Sequence, residues 1–259
     1  MPTLRFIIKQ LSILIVAITV LVFWTQQFLW FVTPSDTSGN VGSLGSCNIA
    51  DIKLEGTLYT YLTEEDSDAV SSADIVKAIE EADHNADIKA IILEIDSGGG
   101  SPVAGEEIAN ALKRAQKPTV AVIRQAGASA AYWSATGVDR IFASSLSDVG
   151  GIGVTMSYLD NAGKNAKDGL NYNSLSSGIY KDAGNPDKPI TPEEKVLFER
   201  DLKITHERFL SQVAENRHLD IEKVRVLADG STMMGDMALE KGLIDQIGGV
   251  VEARDYLNK

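Results

Sequence analysis

Few side chains in this sequence could do covalent chemistry, and the first is Ser129. It sits in Gly127-Ala128-Ser129-Ala130-Ala131, just after the apolar run Thr119–Ile123 and at the start of a small-residue segment with helical character. A serine there holds its hydroxyl where free backbone N–H groups can stabilise developing negative charge. The order G-x-S-x-A differs from the hydrolase elbow G-x-S-x-G. Two readings stand at this point: a nucleophile, or a serine that caps a tightly packed helix. The second feature is Asp96-Ser97-Gly98-Gly99-Gly100-Ser101, between the apolar run Ala90–Ile95 and a helix opening at Pro102. Three glycines let backbone N–H groups face a ligand or an oxyanion, or else simply form a tight turn. A phosphate loop would need Gly-Lys-Ser/Thr here, and the segment is not a G-x-G-x-x-G turn either.

A serine nucleophile needs a proton acceptor. His84 lies in an acidic connection, and His206 and His218 lie in or beside a long charged helix. No apolar pocket or paired acid surrounds them in sequence, so all three read as surface residues. A lysine can serve instead when burial lowers its pKa. The sequence contains many, and composition does not choose among them.

The elements that must hold these groups alternate. Ile49–Leu54, Ala90–Ile95, Thr119–Ile123, Arg140–Ala143 and Leu243–Ile247 read as strands. Gly56 ends the first, and glycine turns at Asp96–Gly100, Gln125–Gly127 and Gly150–Gly153 follow later ones. Helices are expected over Ser71–Asp83, Pro102–Ala115, Ser129–Thr136 and Asp220–Ala228, and at the C-terminus. Thr191-Pro192-Glu193-Glu194 is a capping box that opens a helix of about 25 residues. Ser176–Pro189 reads as a polar loop. Strand–glycine–helix units predict an α/β fold with a largely parallel sheet.

With 24 basic and 36 acidic residues among 259, the chain carries a net charge of −12, which disfavours phosphate and hence nucleic acid. A single cysteine excludes an internal disulfide framework and a multi-cysteine metal site. Leu11–Trp24 is uncharged and apolar; flanking residues extend it towards the 20 or so that a bilayer requires. No small-x-small cleavage site follows, so an uncleaved anchor is expected. Arg5 and Lys9 precede it, which places the N-terminus in the cytoplasm and the bulk of the chain outside. The predicted organisation is a cytoplasmic N-terminus and transmembrane helix over 1–32, a Gly/Ser-rich tether over 33–48 and an α/β domain over 49–259.

Five stretches in order, DSGGGSPVAGEEI, AGASAAYWSATGVDRIFAS, VGGIGVTMSYLD, SSGIYKDAGNPDKPITPEEK and LADGSTMMGDMALEKGLIDQIGG, resemble the bacterial signal peptide peptidase A family. These are membrane-anchored Ser/Lys peptidases of ClpP/crotonase-like fold. The resemblance spans Ile49 to the C-terminus. It implies Ser129 as nucleophile, Lys181 as general base, and an oxyanion hole from Gly100 and the Ala130 N–H with Gly99 beside them. It implies no cofactor and no metal. Its implied partners are peptide substrates such as remnant signal peptides, the membrane, and further copies of the chain, with serine and lysine contributed by neighbouring subunits. Asp182, next to the lysine, is expected to point away from it, while Ile179 and Tyr180 help to dry the site.

The chain departs from the family pattern in three places. Ser129-Ala130-Ala131-Tyr132 replaces Ser-Gly-Gly-Tyr, and Gly98 and Ser101 replace the usual Pro and Gly. Gly151 stands where the family often has a serine that orients the lysine, so water or another donor is expected to do so here. Two alternative functions follow: a related peptidase that cuts stomatin-like membrane proteins, or a non-catalytic scaffold or inhibitory partner on the peptidase fold.

Overall fold

The computed structural model describes residues 48–63 and 66–259. The predicted membrane anchor and nearly all of the tether lie outside them; among the described residues no helix is long and apolar enough to cross a membrane. Strands β1 (Ile49–Tyr59), β2 (Ala69–Ser71), β3 (Ala90–Gly100), β4 (Thr119–Ala128), β5 (Arg140–Ala143) and β8 (Gln246–Ile247) form one sheet in the order β2-β1-β3-β4-β5-β8. All of these pairings are parallel. Two short strands lie off this path: β6 (Asp148–Gly150) pairs with the end of β4, and β7 (Thr232–Met234) runs antiparallel to β6. The crossovers contain α1 (Ser72–His84), α2 (Pro102–Arg114) and α3 (Ala130–Ala135). Then come α4 (Ala162–Lys167), α5 (Pro192–Asn216), α6 (Ile221–Leu227), α7 (Gly235–Lys241) and α8 (Val250–Leu257).

The helix starts follow local chemistry. Ser71 caps α1 by accepting from the Asp74 N–H. Thr191 and Glu194 make the reciprocal capping box that starts α5, and Asp220 caps α6. The large core packs α1, α2, α3 and α5 on one face of the sheet, around Leu54, Ile79, Ile91, Leu93, Ile108, Trp133 and Phe209. The opposite face holds a smaller cluster, Ile92, Val120, Val122 and Phe142, packed with Ala253 of α8. Alternation of side chains along a strand places β3 residues in both clusters, which explains why Ala90–Ile95 is apolar on both faces at all but one position.

Glu94 interrupts that run. It is 4% exposed, and its carboxylate bonds Lys53 of β1 and Arg124 of β4. Burial pushes its pKa up, but the bonds to Lys53 and Arg124 outweigh burial and hold it below the usual glutamate range. A carboxylate with a depressed pKa stabilises the fold above its unfolded-state value, and this contribution is lost as pH falls through the lower folded value. Glu94→Gln is therefore expected to lower the melting temperature at pH 7 by about 3–6 °C, for a loss of roughly 1–2 kcal/mol. The difference between parent and variant should begin to shrink as scans fall below the unfolded-state glutamate value of about pH 4.3 and disappear below the lower folded value.

Three expectations about turns are corrected. The glycines at Asp96–Gly100 do not leave the sheet: Ser97 pairs with Gly127, and Gly99 and Gly100 pair with Thr57 and Leu58. Likewise β1 continues through Gly56 to Tyr59, with a register shift between Glu55 and Thr57, and β4 continues through Gln125–Gly127. Strand partners on both sides supply the hydrogen bonds that override the local turn preference of glycine.

Candidate active site

Ser129 lies between β4 and α3 with φ 53° and ψ −127°. A residue other than glycine at positive φ is uncommon and costs on the order of 1–3 kcal/mol, so its surroundings must enforce it. They do so from three sides. The Ser129 N–H donates to the Gly150 carbonyl at 2.8 Å, and its carbonyl accepts the Trp133 N–H at 2.9 Å. On the third side, a Cβ on Gly99 would lie 2.7 Å from the Ser129 Cβ and 2.9 Å from the Ala130 nitrogen. Its φ of +103° equally requires glycine. The Ser129 side chain makes no capping hydrogen bond. The capping alternative is thereby set aside, and the hydroxyl is left unspent at a sharp strand-to-helix turn.

Helix α3 is held from below. Trp133 stacks on Phe209 of α5, with ring centroids 4.5 Å apart and planes 4° from parallel. Its indole N–H donates to Gln212. Tyr132 is fully buried and donates its hydroxyl to the Leu243 carbonyl at 2.8 Å; burial pushes its pKa up. On the glycine segment, buried Ser97 donates to the Gly56 carbonyl at 2.6 Å and accepts the Gly99 N–H at 3.1 Å. That clamp fixes the segment against Ser129, a role that sequence reading did not give to Ser97.

The glycines named from sequence are both here, with different neighbours. Gly99 abuts Ser129, whereas a Cβ on Gly100 would strike the Leu58 carbonyl at 2.1 Å. Gly100 and Ser129 line one cavity of about 680 Å³. Ala130 is the first residue of α3, so its N–H has no acceptor within the helix. Gly151 also borders the cavity, at φ +59°. A Cβ on it would sit 3.3 Å from the Ser129 nitrogen. This left-handed, tight position accounts for glycine where the family often has serine.

Lys181 does not line this cavity. It is exposed, in the turn-rich stretch before α5, with its N–H on the Gly178 carbonyl at 3.0 Å. Ile179 and Tyr180, expected to dry the site, are exposed as well. One chain alone therefore does not bring these three residues to Ser129. Asp182 accepts from the Tyr172 hydroxyl at 2.8 Å and from Asn185 at 3.1 Å. The Tyr172 bond holds its pKa below the usual aspartate range. Among the described residues it makes no ion pair with Lys181.

His206 departs from expectation. His84 and His218 are exposed as predicted, but His206 is half-buried and lines the Ser129 cavity. It precedes Phe209 by three residues on α5, and this helical spacing was the signal available in the sequence. Asp229 also borders the cavity; its Oδ1 accepts from the Ser231 hydroxyl at 2.6 Å and N–H at 2.9 Å. Those bonds, the hydroxyl first, hold its carboxyl below the usual range.

The profile of peptidase family S49 matches residues 111–259. A putative protease of Methanocaldococcus jannaschii is 30% identical over 226 residues, covering 85% of this chain and 73% of that protein. A putative signal peptide peptidase SppA of Enterococcus faecium is 34% identical over 175 residues, 66% of this chain and 51% of that protein. In fold the chain resembles the ClpP1 N165D mutant from Listeria monocytogenes. The TM-score is 0.54 at 14% identity, over 79% of this chain and 94% of that one. On the profile match and these relatives, the chain belongs to peptidase family S49, serine peptidases here built on an α/β ClpP-like fold.

Proposed function

We propose that this protein is a membrane-tethered serine endopeptidase that degrades remnant signal peptides at the outer face of the cell membrane, with Ser129 as nucleophile and Lys181 as base. The observation that carries the reading is the enforced, strained turn at Ser129 with its free hydroxyl. The uncharged Lys181 amine takes the proton from Ser129 Oγ as Oγ attacks the scissile carbonyl. The Ala130 N–H, with the glycine segment at Gly99 and Gly100, receives the oxyanion. The ammonium passes its proton to the departing amine, and the freed lysine then activates water to cleave the acyl-enzyme.

The lysine comes from a second copy of the chain. Support lies in its exposed position outside the Ser129 cavity and in the bare aliphatic side chains of the same exposed stretch of chain. Leu159 is 88%, Leu175 100% and Ile179 85% exposed, a density of bare aliphatic groups that a neighbouring subunit would cover. The membrane tether rests on the apolar run Leu11–Trp24 and the charges that precede it. The substrate class rests on likeness to the enterococcal relative.

A fluorophosphonate probe on the detergent-solubilised full chain tests the nucleophile; an adduct mapped to Ser129 is expected, and labelling elsewhere, or none, rejects it. Signal-peptide fragments offered beside folded proteins test the substrate class, which fails if the fragments survive. Because the base must be uncharged, turnover should rise steadily from pH 6 to 9. A flat single-turnover profile across that range rules out a lysine base.

A further inference from the structure

We propose that His206 is a substrate-contacting residue, whose imidazole hydrogen-bonds a peptide side chain entering the Ser129 cavity and so selects an uncharged polar one, a carboxamide or a hydroxyl. The proposal rests on the peptidase reading and refines its substrate class. His206 shares the cavity wall with Ser129. Its Nε2 has no hydrogen-bond partner among the described residues and is closed to solvent, so a turn of the ring about its soft terminal torsion must present it to an entering side chain. A buried polar atom left unpaired is costly, and such atoms in native folds call for a functional partner. Nothing in the Ser/Lys chemistry uses this ring. Its helical neighbour Glu207 is engaged elsewhere, by Arg225 at 2.7 Å.

The location is also fixed. Phe209, one helical turn along α5, stacks on Trp133, whose N–H bonds the Ser129 carbonyl. His206 is thus held relative to the nucleophile by the same packing that holds α3.

The chemistry of the wall narrows the ligand. Asp229 is the other ionisable side chain bordering the cavity, and its carboxylate stays charged, which disfavours acidic side chains. A neutral imidazole offers one donor and one acceptor; a carboxamide or hydroxyl offers both and suits either tautomer. An ammonium offers donors only. An aliphatic side chain would leave the ring unpaired, a mismatch that polar sites reject strongly.

The test compares the full chain in detergent with His206→Leu and His206→Gln on a peptide library read by mass spectrometry. The parent should favour Gln, Asn, Ser or Thr over Leu or Met at one position near the cut by about tenfold in kcat/KM. His206→Leu should abolish or invert that preference, and His206→Gln, which keeps a donor and an acceptor, should retain it. An unchanged preference in His206→Leu overturns the proposal. So does a dominant preference for Lys or Arg that Asp229→Asn removes and His206→Leu does not.

Binding separates this outcome from failure of the peptidase reading. On a Ser129→Ala background, where no cleavage intervenes, a fluorescent Gln-bearing peptide should bind about tenfold tighter than its Leu counterpart. The difference should disappear with His206→Leu added. Equal binding of the two peptides when His206 is present rejects the proposal, whatever the library shows about Ser129.

Discussion

Two inactive variants should restore each other. Ser129→Ala and Lys181→Ala chains, each nearly inactive alone, are expected to regain activity when mixed under conditions that allow subunits to exchange. In a homo-oligomer whose sites each take serine from one chain and lysine from the next, a mixed neighbour pair contains one site with both groups intact. Random mixing at equal amounts gives such a site about one time in four, so recovery of roughly a quarter of parental turnover is expected. Against single variants depressed about 10²–10⁴-fold by loss of a general base, that is a gain of roughly 25-fold to some 10³-fold. Lys181 lies outside the cavity of its own Ser129, in an exposed stretch rich in bare aliphatic side chains. Mixing that restores nothing, with exchange demonstrated by tagged subunits, rejects a lysine supplied by the neighbouring chain.

Removing the hydroxyl alone should cost more than any other single change. Ser129→Ala is expected to lower kcat/KM on the order of 10⁴-fold or more, since no covalent intermediate can form and only binding and oxyanion donors remain. The fold should survive, because the Ser129 side chain makes no hydrogen bond that caps the helix. Alanine at φ 53° carries much the same backbone strain as serine, so the melting temperature should move by only a few degrees at most. Activity within tenfold of parental, in a preparation checked by mass spectrometry, would exclude Ser129 as the nucleophile.

Much of this arrangement was legible from residue order. Apolar runs located β1, β3, β4, β5 and the neighbourhood of β8, while the short β2, β6 and β7 gave no apolar signal; Ser71, Thr191 and Asp220 marked three helix starts. Ser129 and the glycines Gly99 and Gly100 were singled out by position, and the structure packs them together. Long-range pairing hid the rest. Gly98–Gly100 look like a turn because local preference is all a sequence window reports, yet β1 supplies the partners that keep them extended. The strain at Ser129 comes from Gly150 and Gly99, which are distant in the chain. His206 looked like a surface residue because the charged residues beside it on α5 face outward; only its spacing from Phe209 betrays the inward face. Asp229 offered no cue, since a lone acid before Gly230 reads as part of a turn.

The Tyr132 hydroxyl hangs from the carbonyl of Leu243, and the Gly151 N–H from that of Ser231. The turn bearing Ser129 is therefore completed by residues that lie much further along the chain and are made after it. A nascent chain that has released Ser129 from the ribosome still lacks both anchors. Until those later residues dock, the backbone around the serine lacks the bonds that hold it, so a partly made copy is expected to leave this turn unordered.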